Sequence, residues 1–482
     1  MLIKASRSGI FLLGLCFIAL TIVTLSWFPT NRIQSTDYAR QWTNNAYASW
    51  AGQSAKDSLA GNAGRPGGSS SSSSSHSSSS SHLTTSIGSL PLPKLGAPAT
   101  SGDPELEKYH IITSRTTKDG TYFPVVFDGL PSMNVNFIPH WNRSDAWITV
   151  AQRFKYNTDV QFWFTELVCD AVLKDGVMQC DQPPLILPVA ATESGKCEGN
   201  IAHFVFNVGP HDARVFYGPE IPYIIYGSNS AHNCFGLWAQ DFRMLVAWNS
   251  TPWADQGWRF PTDMQRPTPY GQVEKNWFFF WDANNVMYLH HDIVPHRVFA
   301  KLEKDGSVGP DLAPATRQAD DACLKNNLPT WASDAPESIH QATNSLAVTM
   351  CKRSDPTCKR TKENTYILHI LQHKTFYYLH GIYEPYVLLY HESSPFGLYG
   401  ISSKPVWISG RKKPSEMIGF ADGHSEMVYV TSVNWKDQGR NYHGYLDDVL
   451  LIGFGVEDKT SGGIDVTAED LIGKLTLCKS GA

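Results

Sequence analysis

Glu274-Lys275-Asn276-Trp277-Phe278-Phe279-Phe280-Trp281, then Asp282-Ala283-Asn284-Asn285, then Val286-Met287-Tyr288-Leu289-His290-His291-Asp292-Ile293-Val294-Pro295-His296-Arg297-Val298, is the stretch whose reading decides the fold. Two runs of aromatic and aliphatic residues flank a turn-rich tetrapeptide, which predicts a β-hairpin. Glu274, Lys275 and Asn276 stand at the mouth of its first strand, where alternation asks for apolar residues. Charges placed there are expected to face a ligand.

Working outward, the pattern recurs. Upstream, Gly209-Pro210-His211-Asp212-Ala213-Arg214-Val215-Phe216-Tyr217 again leads from polar groups into a strand, with Ile221-Pro222-Tyr223-Ile224-Ile225-Tyr226 as its hairpin partner. Further upstream, Trp147-Ile148-Thr149-Val150-Ala151-Gln152-Arg153-Phe154 carries an arginine at the end of its run, and downstream Ile339-His340-Gln341-Ala342-Thr343-Asn344-Ser345-Leu346-Ala347-Val348 has the same character. From Arg153 to Asp212, to Glu274 and to His340, the steps are 59, 62 and 66 residues. A sheet-sized module at a near-constant stride, with polar residues returning at one point of each module, is expected from β-blades packed around an axis. The fold class expected is all-β, a β-propeller whose polar points converge.

Composition agrees. Aromatics make up 12% and charged residues 18%, with 37 Gly and 29 Pro, which suits short strands and turns better than helices. Amphipathic helical periodicity is confined to Ala468-Glu469-Asp470-Leu471-Ile472-Gly473-Lys474-Leu475 and the tract before the serine run. A net charge of −5 and the lack of a basic, aromatic-interleaved patch argue against nucleic acid as a partner.

The N-terminal region sets the expected address. Gly9 to Phe28 is uncharged and long enough to span a bilayer, with Lys4 and Arg7 before it and the bulky Ser26-Trp27-Phe28-Pro29 in place of a cleavage site. The expected organisation is a cytoplasmic tail (1–8), a single signal-anchor helix (9–28), a disordered Ser/Gly/Pro-rich stem (29–103) and a luminal propeller domain (104–482). The stem composition cannot bury enough apolar surface to offset its ordering entropy. Eight cysteines follow the anchor, an even number that suggests disulfides in a secretory compartment. Cys169 with Cys180 and Cys351 with Cys358 are close enough to staple locally, while Cys197, Cys234, Cys323 and Cys478 can pair in more than one way. Asn142-Arg143-Ser144 and Asn249-Ser250-Thr251 are glycosylation sequons, consistent with a lumen.

Several segments, in their order along the chain, resemble the five-bladed β-propellers that act on mannosides, namely mannoside phosphorylases and propeller-type fungal β-mannosyltransferases. Asp212-Ala213-Arg214-Val215-Phe216 is similar to their acidic-Asp-Pro-Arg motif, and Glu274-Lys275-Asn276-Trp277 with Pro295-His296-Arg297-Val298 is similar to their Lys-Asn-Trp hairpin. Tyr383-Glu384-Pro385, Ser394-Pro395-Phe396-Gly397 and Ile401-Ser402-Ser403-Lys404-Pro405 resemble fourth-blade strands. Val428-Tyr429-Val430-Thr431-Ser432 and Leu450 to Asp458 resemble the closing blade. The resemblance spans about Tyr109 to Ile472 and implies five blades and mannoside chemistry. His211 stands in place of an acidic residue, Ala213 in place of proline, and Ala342-Thr343-Asn344-Ser345 in place of a Gly-Gly-Thr-Pro-like turn.

Glycosyl transfer needs a group that exchanges a proton with the acceptor or leaving oxygen, cations or donors for a departing phosphate, and aromatic faces for the sugar. The catalytic candidates are Asp212 first, beside Arg214, then Glu274 and Asp458. Substrate-binding candidates are Arg153, His211, Arg214, Lys275, Asn276, His291, His340 and Asn344, with Lys275 on the donor phosphate and Asn276 bridging it to Glu274. Trp277 reads as core. No zinc-type Cys/His spacing occurs, and His290 and His291, adjacent on a strand, point to opposite faces, so no metal site is expected. Neither an Asp-x-Asp motif nor a Gly-rich phosphate loop is present, which argues against a Rossmann-like transferase. The expectation is a Golgi-type, type II membrane glycosyltransferase that takes a nucleotide sugar, GDP-mannose-like, as co-substrate and a glycan as acceptor. The alternatives are a glycoside phosphorylase or hydrolase on the same scaffold, or a non-catalytic glycan-binding cell-surface protein.

Overall fold

A computed structural model describes residues 92–156, 162–248, 257–329, 337–377, 380–417 and 424–478. The expected tail, anchor and most of the stem, and the Asn249 sequon, lie outside the described residues. Among the described residues no helix is long and apolar enough to cross a membrane.

Among the described residues the chain is mostly β, its hydrogen-bonded sheets holding two, four, three, seven and ten strands, and along the chain the strands come in consecutive groups. After β1 (His110–Ile112) and β2 (Phe123–Val126), the first group runs β3 (Met133–Pro139), β4 (Trp147–Tyr156), β5 (Phe162–Lys174) and β6 (Val177–Cys180), with β7 (Leu185–Ile186) and β8 (Asn207–Val208) also on β5. The second is β9 (His211–Tyr217), β10 (Pro222–Asn229), β11 (Phe235–Asp241) and β12 (Thr262–Asp263), antiparallel throughout. The third is β13 (Phe278–Trp281), β14 (Met287–Asp292) and β15 (Val298–Lys301). In the fourth, β16 (Ser338–Gln341) and β17 (Leu346–Thr349) both pair with β18 (Thr365–Tyr377), followed by β19 (His380–His391) and β20 (Leu398–Ser402). Beyond β21 (Val406–Ile408), the fifth is β22 (Val428–Trp435), β24 (Val449–Val456) and β25 (Thr460–Thr467), with β23 (His443–Tyr445) parallel to β17 and β26 (Leu475–Leu477) added to β20.

Local chemistry explains the elements. Between β5 and β6, Asp175 (φ 51°) and Gly176 (φ 77°) make a two-residue turn of left-handed residues, the geometry that matches strand twist. The predicted hairpin is present, with Phe278 opposite His290 and Trp281 opposite Met287. Its aromatics are buried within one large core shared with Phe216, Leu289, Leu346, Val387, Val433 and Ile452.

The first strands of the groups meet through side chains. Asn136 on β3 donates to the Ala213 carbonyl (2.7 Å) and accepts from the Val215 N–H (3.3 Å) of β9. Asn434 on β22 donates to the Val215 carbonyl, and Thr431 donates to the Val135 carbonyl at 2.6 Å. Ser345, at the break between β16 and β17, donates to the Phe279 carbonyl of β13. At the outer side, β2 pairs antiparallel with β25 and parallel with β6, so an N-terminal strand completes the last group and joins it to the first.

Four observations bear on the sequence reading. A helix, α1 (Arg317–Asn327), was not expected; its sequence is too polar to show an apolar stripe, and it is fixed instead by buried Cys323, Leu324 and the Arg297–Asp320 ion pair at 2.8 Å. The expected terminal helix is present but shorter, as α2 (Ala468–Ile472); Gly473 caps it and Leu475 opens β26. The last stem residues lie against the domain, with Gly96 N–H on the Gly410 carbonyl, Ala99 N–H on Ser409 and Asp103 on Lys413. The cysteines form Cys169–Cys180, Cys197–Cys234, Cys323–Cys478 and Cys351–Cys358, which resolves the pairings left open.

Candidate functional site

Where β9, the segment before β13 and the break between β16 and β17 come together, a cavity of about 370 Å³, open mouth included, is lined by His211, Asp212, Arg214, Lys275, Asn276, Trp277, Ala342 and Thr343. Ile225, Tyr226, Gly227, Phe235 and Leu237 form its apolar wall.

Asp212 sits at φ +50°, a left-handed conformation tolerated by Asp and Asn but costly for most residues. Its carboxylate accepts from Asn134 Nδ2 at 3.0 Å. Burial works to raise the carboxyl, but Arg214, Lys275, His211 and the Asn134 hydrogen bond outweigh it and hold it below its ordinary value. Asp212 is therefore ionised at neutral pH. Beside it, burial drives the His211 imidazole down to about 4, Lys275 adds to that, and Asp212 only partly opposes it. His211 is neutral.

Arg214 is fixed by donating Nε to the Ala342 carbonyl (2.9 Å) and Nη1 to the Asp212 carbonyl (2.5 Å). Lys275 Nζ lies 5.4 Å from the Phe235 ring centroid. His211 Nε2 and Trp277 Nε1 are buried polar atoms with no hydrogen-bond partner among the described residues.

A second set of groups shares the electrostatics of this mouth. Tyr383 and Tyr429 pack edge to face at 4.8 Å, and the Arg214 guanidinium lies 5.9 Å from the Tyr429 ring. Burial raises the Tyr383 phenol, and Tyr429, Asp458 and Asp212 raise it further. Half-buried Lys374 is lowered by burial and by Lys275, against Asp458. His340, hydrogen-bonded to Ser338 Oγ at 2.9 Å, is brought to about 4 by burial, Lys374 and Lys275. Asp458 holds φ +49° at the turn after β24. His340 and Asp458 thus act on the same field as Asp212 and Lys275, although neither lines the cavity.

The remaining candidates have other occupations. Glu274 does not line the cavity; Arg266 Nη1 donates to both its oxygens (2.9 and 3.0 Å), Gly271 N–H donates at 2.6 Å, and Arg266 also pairs with Asp292. His291 is buried, its Nε2 against the Gln265 carbonyl at 3.1 Å and its ring edge-on to Trp277. Asn344 is fully buried and spends both amide atoms on the Val433 backbone, at 2.7 and 3.1 Å. Arg153 lies on β4, the second strand of its group, opposite Thr165. The residue of that group that reaches the Asp212 carboxylate is Asn134 on β3.

Sequence reasoning missed Asn134, Gln152 and Glu166. Gln152 and Glu166 face each other across β4 and β5, and both reach the backbone at Asp212 and Ala213. The signal was a pair of polar side chains inside apolar runs, Thr149-Val150-Ala151-Gln152 and Phe164-Thr165-Glu166-Leu167. Among the described residues no cluster of three His, Cys, Asp or Glu side chains is arranged to hold a metal ion.

Fold and cavity together define a class: a β-sheet protein with an ionised carboxylate set among cations in a small, half-apolar pocket. No protein-family model matches the sequence, and no curated protein matches it. Solved structures do match by shape. A β-1,2-mannobiose phosphorylase from Listeria innocua is similar at TM-score 0.40 and 10% identity, covering 71% of this chain and 91% of its own. A mannose phosphorylase from Leishmania mexicana, in complex with phosphate ion, is similar at TM-score 0.37 and 12% identity, with 75% and 94% covered. A GDP-Man-dependent mannosyltransferase from Leishmania mexicana gives 0.35 and 9%, with 74% and 92% covered. Likenesses at this level carry no inference about activity.

Proposed function

We propose that this chain is a five-bladed β-propeller enzyme that transfers a glycosyl group, mannose by the sequence resemblance, from a phosphate-bearing donor to a glycan hydroxyl. The observation that carries the reading is the ionised Asp212 carboxylate under the influence of Arg214 and Lys275, in a cavity that His211 and Trp277 also line. In the step proposed, Asp212 takes the proton of the acceptor hydroxyl. The acceptor oxygen bonds the anomeric carbon, the carbon–oxygen bond to the donor phosphate breaks, and its electron pair leaves with the phosphate. Arg214 and Lys275 meet the charge that develops there. The proposed donor is a nucleotide sugar such as GDP-mannose. The side-chain stitches between first strands and the completion of the fifth group by β2 support the propeller reading.

A second reading, phosphorolysis of a mannoside, has one observation in its favour: the same cations would seat inorganic phosphate, and the step above run backwards is phosphorolysis. The proposed location is a secretory-pathway membrane such as the Golgi, with the domain luminal. Four disulfides support an oxidising compartment. Incubating the purified protein with a panel of nucleotide sugars plus oligomannoside, and separately with mannobiose plus inorganic phosphate, tests the two. Nucleotide release coupled to a lengthened glycan supports transfer, and mannose 1-phosphate formation supports phosphorolysis. Glycan binding with neither product would overturn both in favour of a binding protein.

A further inference from the structure

The N–H groups at the start of β9 have no ordinary strand partner. The ladder to β10 pairs Arg214 with Ile225 and His211 with Gly227, with a register shift between, so Asp212 and Ala213 fall at the irregularity. Side chains of the first strand group take up the slack. Gln152 Oε1 accepts the Asp212 N–H at 2.6 Å, and Glu166 Oε1 accepts the Ala213 N–H at 3.2 Å. Gln152 and Glu166 are directly opposite across β4 and β5 and are 3% and 1% exposed, so both act from beneath the site rather than in it. Asn134 completes the set by holding the Asp212 carboxylate from the side.

We propose that Gln152 and Glu166 are positioning residues: by accepting successive backbone N–H groups they hold Asp212 in its left-handed conformation, with its carboxylate in the cavity. Neither touches substrate. The inference rests on the proton-transfer role read for Asp212. Without that brace the left-handed conformation would relax toward an ordinary strand.

Glu166 gives this brace a pH dependence. Its Oε2 has no partner among the described residues, and burial, with the Asp212 charge added, pushes the carboxyl up to about 8 against the Ala213 N–H and Arg214. Of the charged groups acting on it, Asp212 and Arg214 come from β9; β4 presents the neutral Gln152. At neutral pH Glu166 is a neutral acid, and above about 8 it places a second negative charge under Asp212.

The test uses the full-length protein and the variants Glu166→Gln, Glu166→Leu and Asp212→Asn, with two readouts. One is amide hydrogen exchange of the peptide containing 212 and 213. The other is the pH profile of kcat/KM, with the donor and acceptor found active in the panel. Glu166→Leu leaves the Ala213 N–H unpaired, so exchange there should quicken roughly tenfold or more. Glu166→Gln keeps an acceptor oxygen and cannot ionise, so exchange should stay near wild type while the alkaline limb near pH 8 disappears. Unaltered exchange in Glu166→Leu, or an alkaline limb unmoved in Glu166→Gln, overturns the proposal. If Glu166→Leu does not fold, Glu166→Gln decides alone. Asp212→Asn separates the two levels: full activity in that variant defeats the catalytic reading whatever exchange shows, whereas lost activity with unmoved Glu166 readouts defeats only the positioning role.

Discussion

At the scale of single residues, the charge pattern assigns different duties to carboxylates that look alike in sequence. Asp212, held below its ordinary value, is the base form throughout the neutral range; activity that needs it ionised should fall on the acid side only below about pH 3.8, its unperturbed value. A pH profile with an acid limb between 5 and 7 would contradict this. Glu166 has the opposite sign. Its folded carboxyl is raised from 4.5 to about 8, so its contribution to stability is fully present below 4.5 and is lost as pH rises through 8, at about 1.4 kcal/mol per pH unit in between. Glu166→Gln should remove that slope, gaining on wild type from pH 5 to 8 in urea denaturation. Glu274 is a third case, since both its oxygens are committed to Arg266. Glu274→Gln should cost about 3 kcal/mol of stability, the scale for breaking a buried pair, and change kcat little. A large fall in kcat at unchanged stability would return Glu274 to the chemistry. From sequence alone Glu274 and Lys275 read as one cluster, yet only Lys275 lines the cavity. Which of two adjacent residues turns outward depends on Arg266, eight positions earlier, and no local pattern carries that.

At the scale of elements, the 278–292 hairpin was readable because runs of aromatic and aliphatic residues flanking a turn-rich tetrapeptide are a local signal. Of the four stride markers only Asp212 lines the cavity, and the first was one strand late: Arg153 lies on β4, while Asn134 at the mouth of β3 holds Asp212. Asn134, Asp212 and Asn276 share left-handed backbone, φ +58°, +50° and +62°, and Asn or Asp at a strand mouth was the better marker. Helix α1 escaped notice because disulfide and ion-pair anchoring, not an apolar stripe, holds it. That anchoring is measurable. Cys323–Cys478 closes a separation of 155 residues and Cys351–Cys358 one of 7, so chain entropy assigns them about 5 and about 2 kcal/mol. Paired Cys→Ser replacements compared by denaturation should rank them in that order, and a reversed order would show that local strain or residual structure outweighs loop length.

At the scale of the whole molecule, the largest sheet depends on a strand far from its neighbours in sequence. β2 pairs Phe123 with Gly463 and Val125 with Ser461, and also touches β6. No property of Phe123-Pro124-Val125-Val126 announces that partner, so composition and stride could suggest a ring without saying how it is fastened. Asp212 on β9, Lys275 before β13 and Thr343 between β16 and β17 come from three separate stretches of the chain and line one cavity, which lasts only while those stretches stay together. The most direct measurement is turnover of the active donor by wild type and Asp212→Asn side by side, with thermal unfolding of both. A loss of roughly 10²- to 10⁴-fold in kcat, the usual worth of general acid/base catalysis, with unfolding unchanged is the result predicted. Full activity in Asp212→Asn would contradict it.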